Sequence, residues 1–560
     1  ASTWWIGSLP LVFWMFTLAP DRDRVWKSVS VLILVVGLAL AVTAAYQLLF
    51  RQVSPRSVFL NINSHAALLN LIALPVAGYF FMVRAAKGRW DALSTALAVA
   101  LFVLVYGVAI TKGRAATLTF MLSAGLLLAV AVKRVSRKDV ALFLFLVAAA
   151  FALADLSWQG GVKERLETLY DMGSAGETRF IIWRQSWEML KDSPWWGRGL
   201  GLYSLAWPPY RDPADTSAGY FVHNDYLQIW IELGLPGLVL FIAVLISALW
   251  MFIRLLRNVA VPPDSKIELT GLFGGLLAVA MHSFLDFNFY IMAILMISGL
   301  MLGRIHSIAV SVEGIKGLVL RPSRVFGAKA YRAMVILLAM FPLVYFVSLG
   351  LSAYEYDKAL ALTGKGHLQE AGEALSWAAR LSPTSDNVFM SQADLYRHLI
   401  TVLSSEKQNE KILLFNQARD LLDQAEQLNP LRAQIYAVRG QLYQENPLLL
   451  GEDGFKQAIQ AYQQALRLNP RLYPARLRYA KLLYSLGRRE EAHRLTEEGM
   501  KHWYYETDDI VPYYAFTAKL RFEAGEKEQA IALANSIERI LKDFGWRRVP
   551  VPERPMFKTT

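Results

Sequence analysis

The sequence predicts an all-α protein in two parts. A polytopic transmembrane helical domain of about ten spans is predicted over residues 1–353, and a soluble α-helical repeat solenoid over residues 354–560. Three observations lead to this prediction. The chain of 560 residues is 55% hydrophobic, which is too apolar for an ordinary soluble protein of this size. Long apolar runs are confined to the part before residue 353, and the part after it reads as a water-soluble helical protein with a repeat.

The spans follow from the lengths of the apolar runs, because a helix needs about 20 residues to cross the hydrocarbon core of a bilayer. The predicted spans are 4–19, 29–50, 58–83, 92–111, 114–132, 139–156, 235–253, 267–283, 287–303 and 333–353. The first is short and contains Pro10. The run from 267 to 303 is divided in two because His282, Asp286 and Asn288 in its middle suit a turn at an interface.

The orientation follows from the Lys and Arg residues of the loops. One set of alternate loops carries basic clusters at 22–27, 84–89, 133–138 and 254–266, and segment 304–332 adds six more basic residues. The opposite short loops contain only Arg51, Arg56, Lys112 and Arg114. Because cytoplasmic loops carry the excess of Lys and Arg, we expect a multi-pass protein of the bacterial inner (cytoplasmic) membrane. The large loop 157–234 and the whole of 354–560 are then periplasmic.

The net charge of +12 is explained by the same loops. No nucleic-acid recognition motif accompanies the charge, so no nucleic-acid partner is predicted. The chain has no cysteine, which excludes disulfides, thiolate nucleophiles and Cys-based metal sites.

The soluble part contains an internal repeat. The strings "ARLSP", "EQLNP" and "LRLNP" end at Pro383, Pro430 and Pro470, each after a helix-like stretch with small residues at buried spacing. This pattern resembles tetratricopeptide repeats, in which paired helices pack through Ala and Gly and a proline closes the second helix. The spacings of 47 and 40 residues exceed the usual period of about 34, so insertions are required. Two further units fit 472–505 and 512–545. A concave surface that binds a protein partner is predicted, with a structural cap on the membrane domain as the alternative.

The stretch "GYFVHNDYLQIWIELGLPGLVLF", residues 219–241, places polar groups beside a span. Asn224, Gln228 and Glu232 share one stripe of a helix, with Asp225 beside it. An amphipathic interfacial helix that breaks at Gly234 and Pro236 is therefore predicted. Its polar side chains are expected either to orient sugars or the neighbouring histidine, or to form a solvated face.

His223 stands at the start of this helix, where the partial positive charge disfavours an imidazolium. A neutral imidazole can accept a proton, as a general base must. The alternative is an interfacial residue that makes a hydrogen bond.

Arginines accompany the histidine on the expected outer face. Arg114 enters an apolar span in "TKGRAATLTF", which is costly unless the side chain is paired, faces a polar cavity or snorkels. Arg179 and Arg184 bracket Trp183 on a predicted helix, and Arg198 lies in the glycine-rich turn "SPWWGRGLG". Guanidinium groups suit diphosphate oxygens because their donors form a rigid fork. No phosphate-binding loop, zinc motif, nucleophile elbow or acidic metal cluster is present, so a mechanism without metal or cofactor is favoured.

Taken in order, "TKGRAA", "TRFIIWRQSWEMLKDSPWWGRGLG" and "FVHNDYLQIWIELGLPG" resemble the O-antigen ligase and O-antigen polymerase superfamily, which includes protein O-oligosaccharyltransferases. "NINSHAALLNL" and "HSFLDFNFY" extend the resemblance over about residues 55–303. One departure is Gly113, where the family usually has serine before the arginine.

The resemblance implies a metal-independent, inverting transfer of a glycan from an undecaprenyl diphosphate lipid to an acceptor hydroxyl on the periplasmic side. Arg114 and Arg179 would hold the diphosphate, and His223 would activate the acceptor. The further candidates for substrate binding are Arg184, Arg198, Asn224, Asp225, Gln228, Glu232, His282 and Asp286. For His282 and Asp286 the alternative is a hydrogen bond within a helix turn.

The acceptor stays open. Ligase-type transfer to lipid A–core is favoured, with a growing polymer next, and a protein acceptor is kept open by the repeat domain. A transporter of the same lipids would need charged groups along a path through the bilayer, whereas the polar residues here crowd at one face. A non-catalytic scaffold would not need about ten spans.

Overall fold

A computed structural model describes residues 2–19, 21–59, 61–158, 173–313, 327–404, 406–504 and 506–544. Regular secondary structure in these ranges is helical, without strands, which confirms the all-α prediction. The chain divides into two compact units. We call them the membrane unit (Ala1–Tyr203 and Tyr220–Val335) and the repeat unit (Ser204–Gly219 and Ile336–Thr560).

The chain forms helices at every predicted span. Their bounds are α1 Ser2–Thr17, α2 Arg22–Leu49, α3 Ile62–Lys87, α4 Ala92–Ile110, α5 Arg114–Ala131, α6 Arg137–Ser157, α7 Gly173–Lys191, α8 Tyr203–Ala206, α9 Asp225–Arg257, α10 Pro263–His282, α11 Met292–Glu313 and α12 Ala328–Gly364. Among the described residues, seven helices are long and apolar enough to cross a membrane, namely α2 to α6, α9 and α11. Helix α1 has only 16 residues, and α10 starts with a charged turn that contains Asp264 and Lys266.

Helix α3 is the centre of the membrane unit and packs closely against α10. A Cβ atom on Gly78 would lie 2.9 Å from the Cα of Gly271, and one on Gly275 would lie 2.8 Å from the carbonyl oxygen of Leu71. Small residues thus bring the two backbones into contact, as is common between membrane helices. Because residues later in α10 meet residues earlier in α3, the helices are antiparallel. The start of α3 and the end of α10 therefore lie at the same end of the bundle.

The repeat unit continues with nine helices in the described ranges. They are α13 Leu368–Leu381, α14 Asp386–Val402, α15 Gln408–Leu428, α16 Ala433–Glu445, α17 Gly454–Leu468, α18 Tyr473–Ser485, α19 Arg489–Met500, α20 Val511–Glu523 and α21 Lys527–Phe544. Pro383, Pro430 and Pro470 each follow the end of a helix by two residues. The long helix α15 and a 3₁₀ segment at Pro447–Asp453 account for the extra residues between repeats.

The observed boundaries differ from the predicted ones in two places. The predicted border at 353/354 falls inside α12, which runs on to Gly364. The predicted loop 157–234 is not uniform, because 204–219 groups with the repeat unit and 220–234 with the membrane unit. Residues 159–172 of that loop and Lys316, Arg321 and Arg324 of the basic segment lie outside the described residues.

Candidate active site

The buried carboxylate of Asp286 joins several predicted site residues. Its oxygens lie 3.4 Å from Nδ1 of His223 and 3.9 Å from Nη2 of Arg179. The side-chain amide of Asn63 donates a hydrogen bond of 2.6 Å to the same carboxylate. The Asp286 side chain is fully buried, whereas 32% of Arg179 and 27% of His223 remain exposed. Arg179, which can bind an anion, and His223, which can bind a proton, are therefore partly exposed, and each contacts the buried Asp286 on its inner side.

The antiparallel packing of α3 and α10 places this carboxylate. Helix α10 ends at His282, and Asp286 lies in the turn that follows, where its Oδ1 accepts a hydrogen bond from the backbone N–H of Phe287. Asn63 is in the first turn of α3. Burial raises the pKa of Asp286, but His223, His282 and the Phe287 N–H outweigh burial and hold that pKa below its usual value. Asp286 is therefore an anion at neutral pH.

His223 has an unusual backbone conformation. Its φ of 56° lies in the left-handed region, which costs free energy in a residue other than glycine. The neighbouring segment holds it there. Val222 donates its N–H to Oε1 of Gln228 at 3.0 Å, and its carbonyl accepts the indole N–H of Trp183 at 3.0 Å. Asn224 caps α9 through the N–H of Leu227, so the helix begins at Asp225, two residues after His223.

Aromatic rings fix the side chain of His223. Phe221 stacks on Phe287 with centroids 3.9 Å apart, and the edge of His223 meets the same phenylalanine at 5.2 Å. With Nδ1 directed at Asp286, the other ring nitrogen, Nε2, is available for a substrate.

Helix α7 presents Arg179 to the site and Arg184 away from it. Arg179 shares its helix face with the buried Ile182, Ser186 and Met189. Arg184 is exposed on another face. Arg179, the predicted diphosphate ligand, and Arg184, a further substrate-binding candidate, thus have different surroundings, and Arg179 contacts Asp286.

Arg114 begins α5 close to the same cluster. Its predecessor Gly113 is the N-cap, and a Cβ atom there would lie 3.6 Å from Oδ1 of Asn63. Arg114 itself is exposed. The side chains of Arg179 and His223 therefore meet at Asp286, and the start of the helix that carries Arg114 lies beside Asn63.

The polar stripe of α9 faces inward. Asp225, Gln228 and Glu232 are at most 2% exposed, so the alternative of a solvated face is wrong. Glu232 accepts hydrogen bonds from the Gly201 N–H at 2.8 Å and from the Tyr290 hydroxyl at 3.0 Å.

Asp225 and Gln228 also make hydrogen bonds within the protein. Asp225 accepts the Phe289 N–H at 2.8 Å, while Gln228 bridges Val222 and Glu232. Through these hydrogen bonds, the residue before His223 and the helix after it are held together, and that helix is held to the turn after α10.

Arg198, in the loop after α7, contacts a later part of α9. Its backbone N–H donates to the Ile231 carbonyl at 2.8 Å, and its guanidinium pairs with Asp192 at 3.0 Å. These contacts are about two helical turns from the first turn of α9.

The glycines of this region are required by a backbone crossing. Gly234 has φ 69°, and a Cβ atom there would lie 2.1 Å from the Trp195 carbonyl oxygen. On the opposite side of the crossing, a Cβ atom on Gly197 would lie 2.5 Å from the Glu232 carbonyl oxygen. Gly234 also interrupts α9, which is the predicted break before Pro236.

His282 is buried at the end of α10. Its Nδ1 has no hydrogen-bond partner among the described residues, so the ring hydrogen bond expected within this turn is not made through that atom. The turn is closed by the backbone instead, where Leu285 donates to the His282 carbonyl at 2.9 Å.

Two contributors were not assigned roles from the sequence. Asn63 and Phe287 occur in the sequence analysis only within the strings "NINSHAALLNL" and "HSFLDFNFY". A usable signal existed for Asn63, because it starts a helix on the side where the His282–Asp286 turn was expected.

In the described part of the chain, one group of three side chains could share a cation: His493, Glu497 and Glu526 in the repeat unit. There Glu497 already accepts two hydrogen bonds from Arg521, at 2.7 and 2.9 Å.

Comparison with known proteins agrees with the motifs. Residues 99–242 match a family model described as O-antigen ligase, and residues 449–502 match one described as tetratricopeptide repeat. The first match includes Arg114, Arg179 and His223, and the second covers α17 to α19. The chain is thus similar to O-antigen ligases over one part of its multi-pass helical region and to tetratricopeptide repeats after it, and the predicted resemblance is confirmed.

The search of curated proteins found no match. Nine chains among the solved structures match. One is the crystal structure of the MamA protein, which is 15% identical, covers 36% of this chain and 97% of its own, and superposes with a TM-score of 0.24.

Proposed function

We propose that this protein is a glycosyltransferase that moves an oligo- or polysaccharide from an undecaprenyl diphosphate lipid to an acceptor hydroxyl, most favourably the lipid A–core in the manner of an O-antigen ligase. The observation that carries the proposal is the cluster around Asp286. It brings a histidine, an arginine and the start of a second arginine-bearing helix together at one end of the membrane unit.

His223 acts as the general base. The acceptor hydroxyl gives its proton to Nε2, while Nδ1–H faces Asp286, whose negative charge stabilises the imidazolium that forms. The acceptor oxygen attacks the anomeric carbon of the donor sugar on the side opposite the diphosphate. The glycosidic C–O bond breaks, its electron pair goes to the diphosphate oxygen, and the configuration is inverted. No metal takes part in this scheme.

The arginines stabilise the leaving group. Negative charge grows on the diphosphate as the C–O bond breaks, so fixed cations stabilise the transition state more than the bound substrate. Arg179 is held by Asp286 from behind and keeps an exposed side for the donor. Arg114 adds its charge to the N-terminus of α5, where unpaired N–H groups favour anions.

The reaction belongs at the outer leaflet of the bacterial inner membrane. The isoprenoid tail has to remain in lipid while the sugar reaches water. The start of α3 and the end of α10 are on the side that the Lys and Arg distribution assigns to the periplasm. Membrane lipid is therefore both the surroundings and the source of the donor.

Deletion of the gene from the source bacterium tests this function and identifies the acceptor. Loss of all polymer from lipid A–core indicates a ligase, single repeat units on the core indicate a polymerase, and a mass change on secreted proteins indicates an O-oligosaccharyltransferase. Complementation with wild type should restore the glycan, and His223→Ala should not. Unchanged lipopolysaccharide and protein glycosylation after deletion would refute the proposal.

A further inference from the structure

Residues 204–219 form a folded segment of the repeat unit, which we call the strap. Arg211 pairs with Asp215 at 2.5 Å and also donates to the carbonyl of Ser217. The buried Asp215 carboxylate accepts the N–H of Ser217 at 2.8 Å and its hydroxyl at 3.0 Å. Trp207 is buried at the start of the strap, with the Arg211 guanidinium 5.4 Å from its ring centroid. The strap therefore has a defined conformation.

One arginine of the repeats binds the strap backbone at three points. Arg471 donates from Nη1 to the carbonyl of Asp215 at 2.8 Å. From Nη2 it donates to the carbonyls of Asp212 at 2.5 Å and Pro213 at 3.0 Å. The backbone N–H of Trp503 donates to the Pro213 carbonyl at 2.8 Å. These contacts join parts of the chain that are more than 250 residues apart in sequence.

Arg471 is well placed to hold the strap. It directly follows Pro470, which terminates α17, and its own N–H is bonded to the side chain of Asn469 at 3.0 Å. Burial and the nearby Arg211 lower the pKa of Arg471 to about 10, so it remains a cation at neutral pH. A half-buried guanidinium that donates to three backbone carbonyls supplies charge-assisted hydrogen bonds with a fixed geometry.

Both ends of the strap continue into the framework of His223. Before the strap, Tyr203 bonds its hydroxyl to that of Ser186 at 2.8 Å, on the face of α7 that carries Arg179. After it, Phe221 stacks on Phe287 and Val222 bonds to Gln228. Gly219 is four residues before His223, whose backbone is strained.

We propose that Arg471 is a positioning residue of the transferase: by holding the strap on the repeats, it keeps the segment that carries Phe221 and His223 in its active conformation. The role in transfer rests on the proposed function above. The proposal that Arg471 restrains the segment does not depend on that function. In this view the repeat unit takes part in each turnover through the strap, in addition to any partner that it binds.

The segment's conformation can be measured without activity. The chain has no cysteine, so Tyr220→Cys gives a single labelling site at an exposed side chain three residues before His223. A nitroxide there reports mobility by electron paramagnetic resonance in the detergent-solubilised full chain. We expect Arg471→Ala to increase label mobility and Arg471→Lys to give an intermediate spectrum, because lysine keeps the charge but not the fork. The exposed Arg478 in the same repeat provides the control Arg478→Ala, which should match wild type.

The same substitutions without the label are then tested for glycan transfer in cells that lack the native gene. Arg471→Ala should reduce transfer by about tenfold to 10²-fold, since displacement of a catalytic group by about 1 Å can cost about 10²-fold. Arg471→Lys should restore part of it, and Arg478→Ala should leave it unchanged.

Each result decides a different point. Unchanged label mobility in Arg471→Ala overturns the proposal, and so does increased mobility with undiminished transfer. If label mobility increases in Arg471→Ala but the wild-type protein transfers no glycan, the restraint of the segment by Arg471 is supported and the proposed function is refuted. Should Arg471→Ala not accumulate, Arg471→Lys carries the test, and a wild-type spectrum in that variant counts against the proposal.

Discussion

The imidazole of His223 and the carboxylate of Asp286 are 3.4 Å apart, although one precedes α9 and the other follows α10. This pair links a residue with an exposed edge to an anion that is completely buried. A catalytic histidine needs an orienting group, and Asp286 is the carboxylate that faces the Nδ1 atom of His223. The pair is therefore the part of the site on which the proposed chemistry depends most.

Asp286→Asn should lower turnover by about 10²-fold or more, because a neutral amide cannot stabilise the imidazolium or fix its tautomer. Binding of the donor should change less. The measurement is the initial rate of glycan transfer in reconstituted vesicles with lipid-linked glycan at several concentrations. His223→Ala is the reference for full loss of the base. An Asp286→Asn protein with normal expression and normal turnover would exclude the pair from catalysis.

Helix α7 offers a matched comparison of two arginines. Arg179→Ala removes a cation that contacts Asp286 and should reduce transfer about 10²-fold, the size of effect seen when one stabilising group is lost from a transition state. Arg184→Ala removes a cation from an exposed face of the same helix and should reduce it less than about threefold. Glycan transfer at equal protein level is the measurement. Equal losses in the two variants would show that Arg179 has no special role.

Much of this architecture was predictable from residue patterns. The apolar runs gave helices at every predicted span, and Gly234 with Pro236 marked the interruption of α9. The residue types at 114, 179 and 223 indicated a diphosphate and a base, and the fold brings Arg179 and His223 to the same carboxylate. These features depend on local composition and on pairs close in sequence, which a single sequence records.

Other features could not be predicted because they depend on distant partners. Helical spacing showed that Gln228 and Glu232 share a face. It did not show that this face packs against protein instead of facing water. Nothing near Arg471 indicates that its acceptors are carbonyl oxygens of residues 212–215, since every residue type has a carbonyl. Asp286 was expected at the outer turn, and only the packing of α3 on α10 shows that it binds Asn63.

The lowered pKa of Asp286 predicts a pH dependence of stability. The folded state favours the carboxylate, so its contribution is fully present above the unfolded pKa of about 3.8 and is lost as the pH falls through the lower folded pKa. Thermal unfolding of the solubilised protein between pH 7 and pH 3 should therefore show a loss at the acid end. Asp286→Asn should lack that part of the loss. The same acid dependence in both proteins would mean that other carboxylates dominate.

The backbone crossing at Gly234 predicts a large difference between two glycine substitutions. In Gly234→Ala the new Cβ atom would lie 2.1 Å from the Trp195 carbonyl oxygen, in a backbone with φ 69°. The positive φ alone costs about 1 to 3 kcal/mol, and the clash pushes the turn that carries Arg198 away from α9. Gly125→Ala is the control, because Gly125 lies in α5 with no atom within 4 Å of a Cβ and alanine there should be neutral or stabilise by up to about 1 kcal/mol. Melting temperatures of the two variants in one detergent measure the difference. A Gly234→Ala protein as stable as Gly125→Ala would show that the crossing is looser than the structure indicates, and that the glycine spacing of this motif is not needed for folding.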